Sequence, residues 1–434
     1  MATKIKIGLI SLGCPKNLAD LEGIVASLGK VEIVDIKNAN VIFLNTCGFL
    51  KTARDEVFEN INQLKNKKLI VTGCLAGQFT GDDFTKFKNV YAFVSEGFYQ
   101  NIKEIFNQVA KGKKIYAVTK EPTKFQTQHG KTILTNGAYS YIKIAEGCNR
   151  MCSYCLIPNL KGDYRSREMK DILDEAKSLV LNGVKELILV AQDCGLYGID
   201  LYKKKSLATL LKKLTKIKGD FWIRVLYIYP ETVDKELLAV IGESKKICKY
   251  LDIPLQHGDA KILKAMNRPN DTEKVLKRIK EIRTKIPGIT LRTSLITGFP
   301  GETKSAFKNL QKFVKKIDFD HAGVFEYSRE KGTKSYELKG QIPAKTKSTR
   351  RKEIMLIQQK ISSQKLAKFI GKTLNVLIES YDPKNKIYMG RSEGFAPEID
   401  GTIFVKSSML LTLPCFKQVK ITSASEYDLF GIPS

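Results

Sequence analysis

Three successive textures along the 434 residues predict an α/β protein in three parts: an amino-terminal doubly wound parallel α/β domain, a central partial barrel of six βα units, and a small carboxyl-terminal all-β barrel. The first texture is an alternation of short apolar runs with helix-patterned segments. The second is the same alternation in longer units, beginning at Tyr139. The third, after Gly371, is a series of short β-rich runs separated by turn signals.

In the first part, Ile5–Ser11, Val41–Asn45 and Leu69–Thr72 read as buried strands, and Leu18–Leu28 and Thr52–Leu64 as the helices between them. The polar stretch Glu121–Gly137 breaks this pattern and reads as a linker. Barrel strands follow at Tyr141–Ala145, Glu186–Ala191, Phe221–Leu226, Tyr250–Ile253, Ile289–Ile296 and Ala322–Tyr327, each with a helix-compatible segment behind it. Six units are too few to close an eight-stranded barrel, so the barrel is expected to be open, with its active face at the carboxyl ends of the strands. Lys345–Phe369 is a basic, helix-patterned connector. Asp382-Pro383 and Met389-Gly390 then mark turns of the last module. The expected domains are residues 1–135, 136–368 and 369–434.

Apolar runs such as Leu187–Ala191 are far too short to cross a bilayer, and the first ten residues lack a signal-peptide pattern, which predicts a cytoplasmic protein without a membrane partner. Nine cysteines in a reducing compartment point to metal binding or catalysis in preference to disulfides. The formal net charge of +28 would suit a polyanionic partner, although the basic residues are spread along the whole chain. The last module departs from that excess. Its seven cations (Lys372, Lys384, Lys386, Arg391, Lys406, Lys417, Lys420) are matched by seven acids (Glu379, Asp382, Glu393, Glu398, Asp400, Glu426, Asp428).

Two cysteine groups carry the chemistry. Cys148, Cys152 and Cys155 form a C-x3-C-x2-C triplet just after the first barrel strand. Three thiolates so close can wrap one iron–sulfur cluster, and the lack of a fourth nearby leaves a position open, unlike a structural zinc site. This triplet at the head of a partial barrel resembles the radical S-adenosylmethionine superfamily. The resemblance implies a four-iron four-sulfur (4Fe-4S) cluster whose open iron chelates S-adenosylmethionine, and reductive cleavage of that molecule to a 5′-deoxyadenosyl radical. It also implies cofactor contacts from Tyr154 and from Gln192 and Asp193 at the end of the second barrel strand. Taken alone, Tyr154 reads as a buried aromatic and the Gln192-Asp193 pair as a polar strand terminus.

The second group is dispersed: Cys14 in SLGCPKN, Cys47 in NTCGF and Cys74 in TGCLAG. Each follows a predicted strand of one parallel sheet and has Gly13, Gly48 or Gly73 beside it. The carboxyl ends of parallel strands share an edge, so these thiols are expected to converge on a second cluster. Cys194, Cys248 and Cys415 lack such a pattern and read as packing residues.

A three-cysteine α/β domain, a radical S-adenosylmethionine barrel and a small β-module (TRAM-like), in that order, resemble the methylthiotransferase family along essentially the whole chain. Segments Cys14–Asn17, Ile157–Arg167, Leu251–Arg268, Thr293–Thr303 and Tyr427–Gly431 are similar to its ribosomal-protein (RimO-type) branch. Lys161, Glu168 and Cys194-Gly195 depart from that branch's usual residues. The resemblance implies two 4Fe-4S clusters, one generating the radical and the other supplying the sulfur. It implies as target the β-carbon of an aspartate in the twelfth small-subunit ribosomal protein, and as partners a low-potential electron donor and a sulfur donor. No catalytic side chain is expected beyond the cluster ligands, because the cofactors carry the reaction.

His257 in PLQHG reads first as a hydrogen-bonded structural histidine and otherwise as a residue lining the cofactor site. Gly298 and Gly301 in TGFPGE suit a tight strand-to-helix turn or a close backbone approach to the cofactor. The net charge favours the transfer-RNA branch of the same family. The near-neutral last module favours a basic protein substrate instead, since a nucleic-acid platform there would be basic with exposed aromatics. A simple electron carrier is disfavoured by two sites with three cysteines each.

Overall fold

The computed structural model describes residues 5–119, 130–407 and 409–434. Its first domain is a six-stranded parallel sheet of β1 (Ile5–Ser11), β2 (Val31–Ile33), β3 (Val41–Thr46), β4 (Lys68–Gly73), β5 (Val90–Val94) and β6 (Ile115–Ala117), in the order β2-β1-β3-β4-β5-β6. The central strands are continuous apolar runs because helices cover both faces. Phe43 and Ile70 pack with α1 (Pro15–Ser27) and the helix Ile102–Ala110, while Ile42, Leu44 and Val71 pack with α2 (Lys51–Gln63). The strand order reverses between β1 and β3. This switch point, where open α/β sheets leave a crevice, is flanked by Cys14 and Cys47.

Six parallel strands follow as an open barrel in two ladders. Glu186–Val190 lies between Tyr139–Lys143 and Trp222–Val225, and Thr290–Thr297 lies between Tyr250–Asp252 and His321–Glu326. A parallel bridge between Ile223 and Ile247 joins the ladders. The basic connector is one helix, Ala344–Leu366, laid along the last strand and the helix Lys304–Ile317. The final module is a closed five-stranded barrel around Val376, Tyr388, Ile403, Val405, Val419 and Leu429. No helix among the described residues is long and apolar enough to cross a membrane.

The linker expected at Glu121–Gly137 falls partly on residues 120–129, outside the described residues. Its remainder is held firmly across the domain boundary. The Lys131 side chain is only 6% exposed, 3.0 Å from Glu22 of α1 and 3.5 Å from Glu175 of the barrel, and the Leu134 N–H donates to Glu22. On the opposite side Glu330 accepts from the Lys51 N–H at 2.8 Å and pairs with Arg54 at 2.7 Å. A carboxylate of the barrel thus caps the amino terminus of α2, where no side chain of the first domain does so.

The last module closes the other end of the barrel. Glu186 is fully buried between Arg224 and Arg391, each 2.6 Å away, and Arg391 also pairs with Glu379. Asp400 reaches the barrel floor, accepting from the Tyr250 hydroxyl at 2.7 Å and lying 3.3 Å from Arg292 Nε. Glu393 accepts from the Lys249 N–H, and Glu398 from the Tyr139 hydroxyl. Four of the seven acids in this module are therefore taken up at or beside the barrel interface. The charge balance read from sequence is thus partly spent at this seam, where Arg391 pairs with Glu379 and the Asp400 side chain is buried, while Glu393 and Glu398 remain exposed at its rim.

Candidate active site

The triplet Cys148, Cys152, Cys155 lies in a loop at the carboxyl end of the first barrel strand. The hairpin Ala145–Glu146 with Arg165–Ser166 holds that loop. Gly147 has φ +79°, and a Cβ there would sit 2.0 Å from the Asp163 carbonyl, so only glycine fits. The Arg150 N–H points at Cys148 Sγ (3.5 Å), the Ile157 N–H at Cys155 Sγ (3.4 Å), and the Tyr229 hydroxyl lies 3.5 Å from Cys152 Sγ. Tyr229 is clasped between the guanidinium groups of Arg150 (4.1 Å) and Arg268 (4.0 Å). Burial, with neighbouring thiols adding to it, pushes Cys155 up to about 12 and raises Cys148. Such thiols lose their protons when a cationic centre binds them.

Cys14, Cys47 and Cys74 follow β1, β3 and β4 and are brought to one edge. A Cβ on Gly13 would lie 2.7 Å from Cys47 Cβ, and one on Gly48 would press on the Cys74–Leu75 backbone at 3.3–3.4 Å. Asn17 fastens the three turns together. It is buried, its Nδ2 donates to the carbonyls of Leu12 and Thr46 at 2.9 Å each, and its Oδ1 lies 3.5 Å from Cys74 Sγ. Burial raises Cys47 and pushes Cys74 up to about 12. Among the described residues no three His, Cys, Asp or Glu side chains converge closely enough for a single ion. A cluster places each thiolate on a different iron and uses a wider set. Three thiols with donors at their sulfurs, and three thiols in a cradle that a Cβ would fill, fit that requirement.

A buried ionic network ties the two groups together. Lys143 lies 2.5 Å from Asp20, 3.2 Å from Glu96 and 2.8 Å from Glu146, and Lys161 lies 2.8 Å from Glu96. Burial alone would raise Glu146, but Lys143 and Lys161 hold it well below the usual carboxylate range. Lys161, read from sequence as a departure, is thus a buried member of this network and one of the charges acting on Cys74. A cavity of about 620 Å³ opens beside it, bordered by Cys74, Glu96, Lys161 and Arg165.

The other expected contact residues are dispersed around the barrel mouth. Gln192 donates to Glu146 at 2.6 Å and leaves its Oε1 buried without a hydrogen-bond partner. Asp193 is fully buried, pairs with Arg150 at 2.7 Å and accepts from the Gly195 N–H at 3.1 Å, capping a short turn. Tyr154 packs beside Ile262, Met266 and Phe299. His257 is fully buried. Its Nδ1 accepts from the Asp259 N–H at 3.0 Å, its Nε2 has no hydrogen-bond partner and lies 3.9 Å from Glu302, and burial lowers its pKa to about 3, so the ring is neutral. Glu302 in turn pairs with Arg350 and accepts from the Gly298 N–H. Cys194 and Cys248 are buried packing residues, and Cys415 is partly buried. Arg150, Tyr229 and Arg268 were not singled out from sequence. Arg150 sits in the cysteine loop, Tyr229 beyond a barrel strand and Arg268 just after the helix Ala260–Ala265, and these positions are the only local signal they carry.

Comparison with known proteins finds relatives along essentially the whole chain. The radical SAM superfamily pattern matches residues 142–314, the TRAM domain pattern residues 370–433, and that of uncharacterized protein family UPF0004 residues 6–95. The chain is 43% identical over 439 residues to the ribosomal protein uS12 methylthiotransferase RimO of Pelotomaculum thermopropionicum, covering 98% of this chain and 99% of that one. It is 45% identical to the protein of that name in Clostridioides difficile, covering 98% of each. Among solved structures, the radical S-adenosylmethionine methyltransferase TsrM of Kitasatospora setae superposes with a TM-score of 0.55 at 14% identity, over 74% of this chain and 73% of that one. The cobalamin-dependent radical enzyme OxsB superposes with a TM-score of 0.52 over 76% and 54%. These two share the fold.

Proposed function

The chain belongs to the ribosomal protein uS12 methylthiotransferase (RimO) family, and from that premise we propose how its residues divide the reaction. It is a radical S-adenosylmethionine methylthiotransferase acting on ribosomal protein uS12, and its barrel uses S-adenosylmethionine with a 4Fe-4S cluster. Our reading of the finer chemistry is that the target is the β-carbon of an aspartate of uS12. Cys148, Cys152 and Cys155 hold the barrel cluster, and Cys14, Cys47 and Cys74 hold a second one. When bound, these groups supply the electron and the radical that open a carbon–hydrogen bond, together with the sulfur that replaces the hydrogen.

The chain's own side chains hold and orient. Backbone N–H groups of Arg150 and Ile157 and the Tyr229 hydroxyl steady the barrel thiolates. The free Oε1 of Gln192 offers an acceptor to the ammonium of the methionine moiety, with Asp193 fixed behind it by Arg150. Tyr154, packed on Ile262, Met266 and Phe299, supplies apolar surface, and His257 is a neutral buried ring. Residues 1–135 carry the sulfur site, 136–368 the radical site and 369–434 the protein-docking module. A low-potential electron donor and a sulfur donor serve them in the cytoplasm, where ribosomal subunits are.

The observation that carries this reading is the pair of three-cysteine groups, one beyond the strand ends of the first domain and one at the barrel mouth, spanned by Lys16, which follows Cys14 by two residues and sets its ammonium 5.9 Å from the Tyr227 ring. The test is peptide mass spectrometry of small ribosomal subunits, and nucleoside analysis of transfer RNA, from cells with and without the gene. A methylthio increment on a uS12 aspartate should vanish with the gene. An unchanged aspartate together with loss of a methylthio-adenosine would overturn the substrate assignment.

A further inference from the structure

We propose that Lys16 receives the carboxylate of the substrate side chain and holds it between the two cysteine groups. This inference rests on the reading of the target as an aspartate. Lys16 stands in the first turn of α1, two residues after Cys14. Its backbone is fixed by Pro15 on one side and on the other by Asn17, whose side chain is fastened to two carbonyls and whose own carbonyl accepts from Asn45 at 2.5 Å. Its ammonium lies 5.9 Å from the centre of the Tyr227 ring, at the carboxyl end of the third barrel strand. The side chain therefore crosses from the first domain to the barrel mouth.

Several other cations around the two sites are already engaged. Arg150 is on Asp193, Lys161 on Glu96, and Arg54 on Glu330. Arg268 stacks on Tyr229 and donates to the Pro254 carbonyl. Among the described residues no carboxylate lies within ion-pair distance of Lys16. A carboxylate brought into such a place needs a counter-charge, since an ionised group taken from water without one costs several kcal/mol. An aromatic face beneath the ammonium orients it and leaves N–H groups for an incoming anion. A neutral purine would gain little from this arrangement, so the same residue separates a carboxylate substrate from a base.

The experiment measures affinities of the anaerobically reconstituted full-length enzyme for uS12 with its target aspartate and for uS12 with asparagine there. The wild-type enzyme should prefer aspartate by about tenfold to a hundredfold, the range of one charge-assisted hydrogen bond. Lys16→Met should remove the preference by weakening only the aspartate form, and Lys16→Arg should restore most of it. The ratio of two affinities in one preparation is insensitive to how much cluster or folded protein that preparation holds. Equal weakening of both forms by Lys16→Met, or a preference that survives it, would overturn the role of Lys16 while leaving the aspartate reading intact. A wild-type enzyme that takes both forms alike would likewise overturn the role of Lys16, whereas the aspartate reading falls only if that aspartate carries no methylthio increment by mass spectrometry.

Discussion

Glu146 has no water to turn to: its carboxylate is fully buried between the ammonium groups of Lys143 and Lys161 and accepts from Gln192. Replacing it with glutamine leaves two cations facing Asp20 and Glu96 alone, and breaking a buried pair in this way costs about 3–5 kcal/mol. Urea unfolding of Glu146→Gln should report that loss. The acid dependence follows from its depressed pKa. A carboxylate held below its unfolded value contributes stability that is complete above the ordinary glutamate range, near 4.5, and disappears as pH falls through the lower folded value. Acid titration of the glutamine variant, followed by circular dichroism, should therefore lack the part of the wild-type destabilisation that appears below about pH 4.5. The network escaped the sequence reading for a physical reason. Asp20, Glu96, Lys143, Glu146 and Lys161 are spread over more than a hundred positions, and an isolated charge in a sequence reads as solvated surface.

At the scale of the element, the decisive feature is the tight exit of each strand into its cysteine. Gly73 has φ +86°, and a Cβ there would sit 2.4 Å from the Thr46 carbonyl, so β3 and β4 can run side by side up to Cys74 only without one. Gly73→Ala should cost on the order of 2–4 kcal/mol, from backbone strain and overpacking together. It should also lower iron retention at the first-domain site relative to the barrel site, measured by iron analysis of the reconstituted variant against Cys148→Ala. This design was legible in the sequence because glycine and cysteine recur after β1, β3 and β4, the strands whose apolar runs are long enough to recognise. The strands Val31–Ile33 and Ile115–Ala117 were not, having three residues each on the margin of the sheet, and Val90–Val94 was also passed over. The six barrel strands were found within one or two residues of their ends, since five are largely buried parallel runs, and only the last, His321–Glu326, is mostly half-buried or exposed. His257 was legible as a residue but not as a role, because only the structure shows its Nε2 unpaired beside Glu302.

For the molecule as a whole, the three parts are fastened by buried carboxylates, each shared across a boundary. Trp222, the sole tryptophan, packs on Phe416 of the last module at 4.7 Å and so reports on that docking. Arg391→Leu removes the guanidinium between Glu186 and Glu379. Trp222 fluorescence should then change at lower urea than the circular dichroism of the barrel, whereas the wild-type signals should coincide. The substrate argument from charge needs the same view of the whole, since the Asp400 side chain is buried at the seam and Glu398, though exposed, is bonded to the Tyr139 hydroxyl across it. Asp400 has one more consequence. It fills the floor of a barrel whose six strands all precede it in the chain, so during synthesis those strands emerge with their base still open. The radical chamber can be sealed only after the last module has left the ribosome, and an enzyme that modifies a ribosomal protein is thereby finished only once its own translation is over.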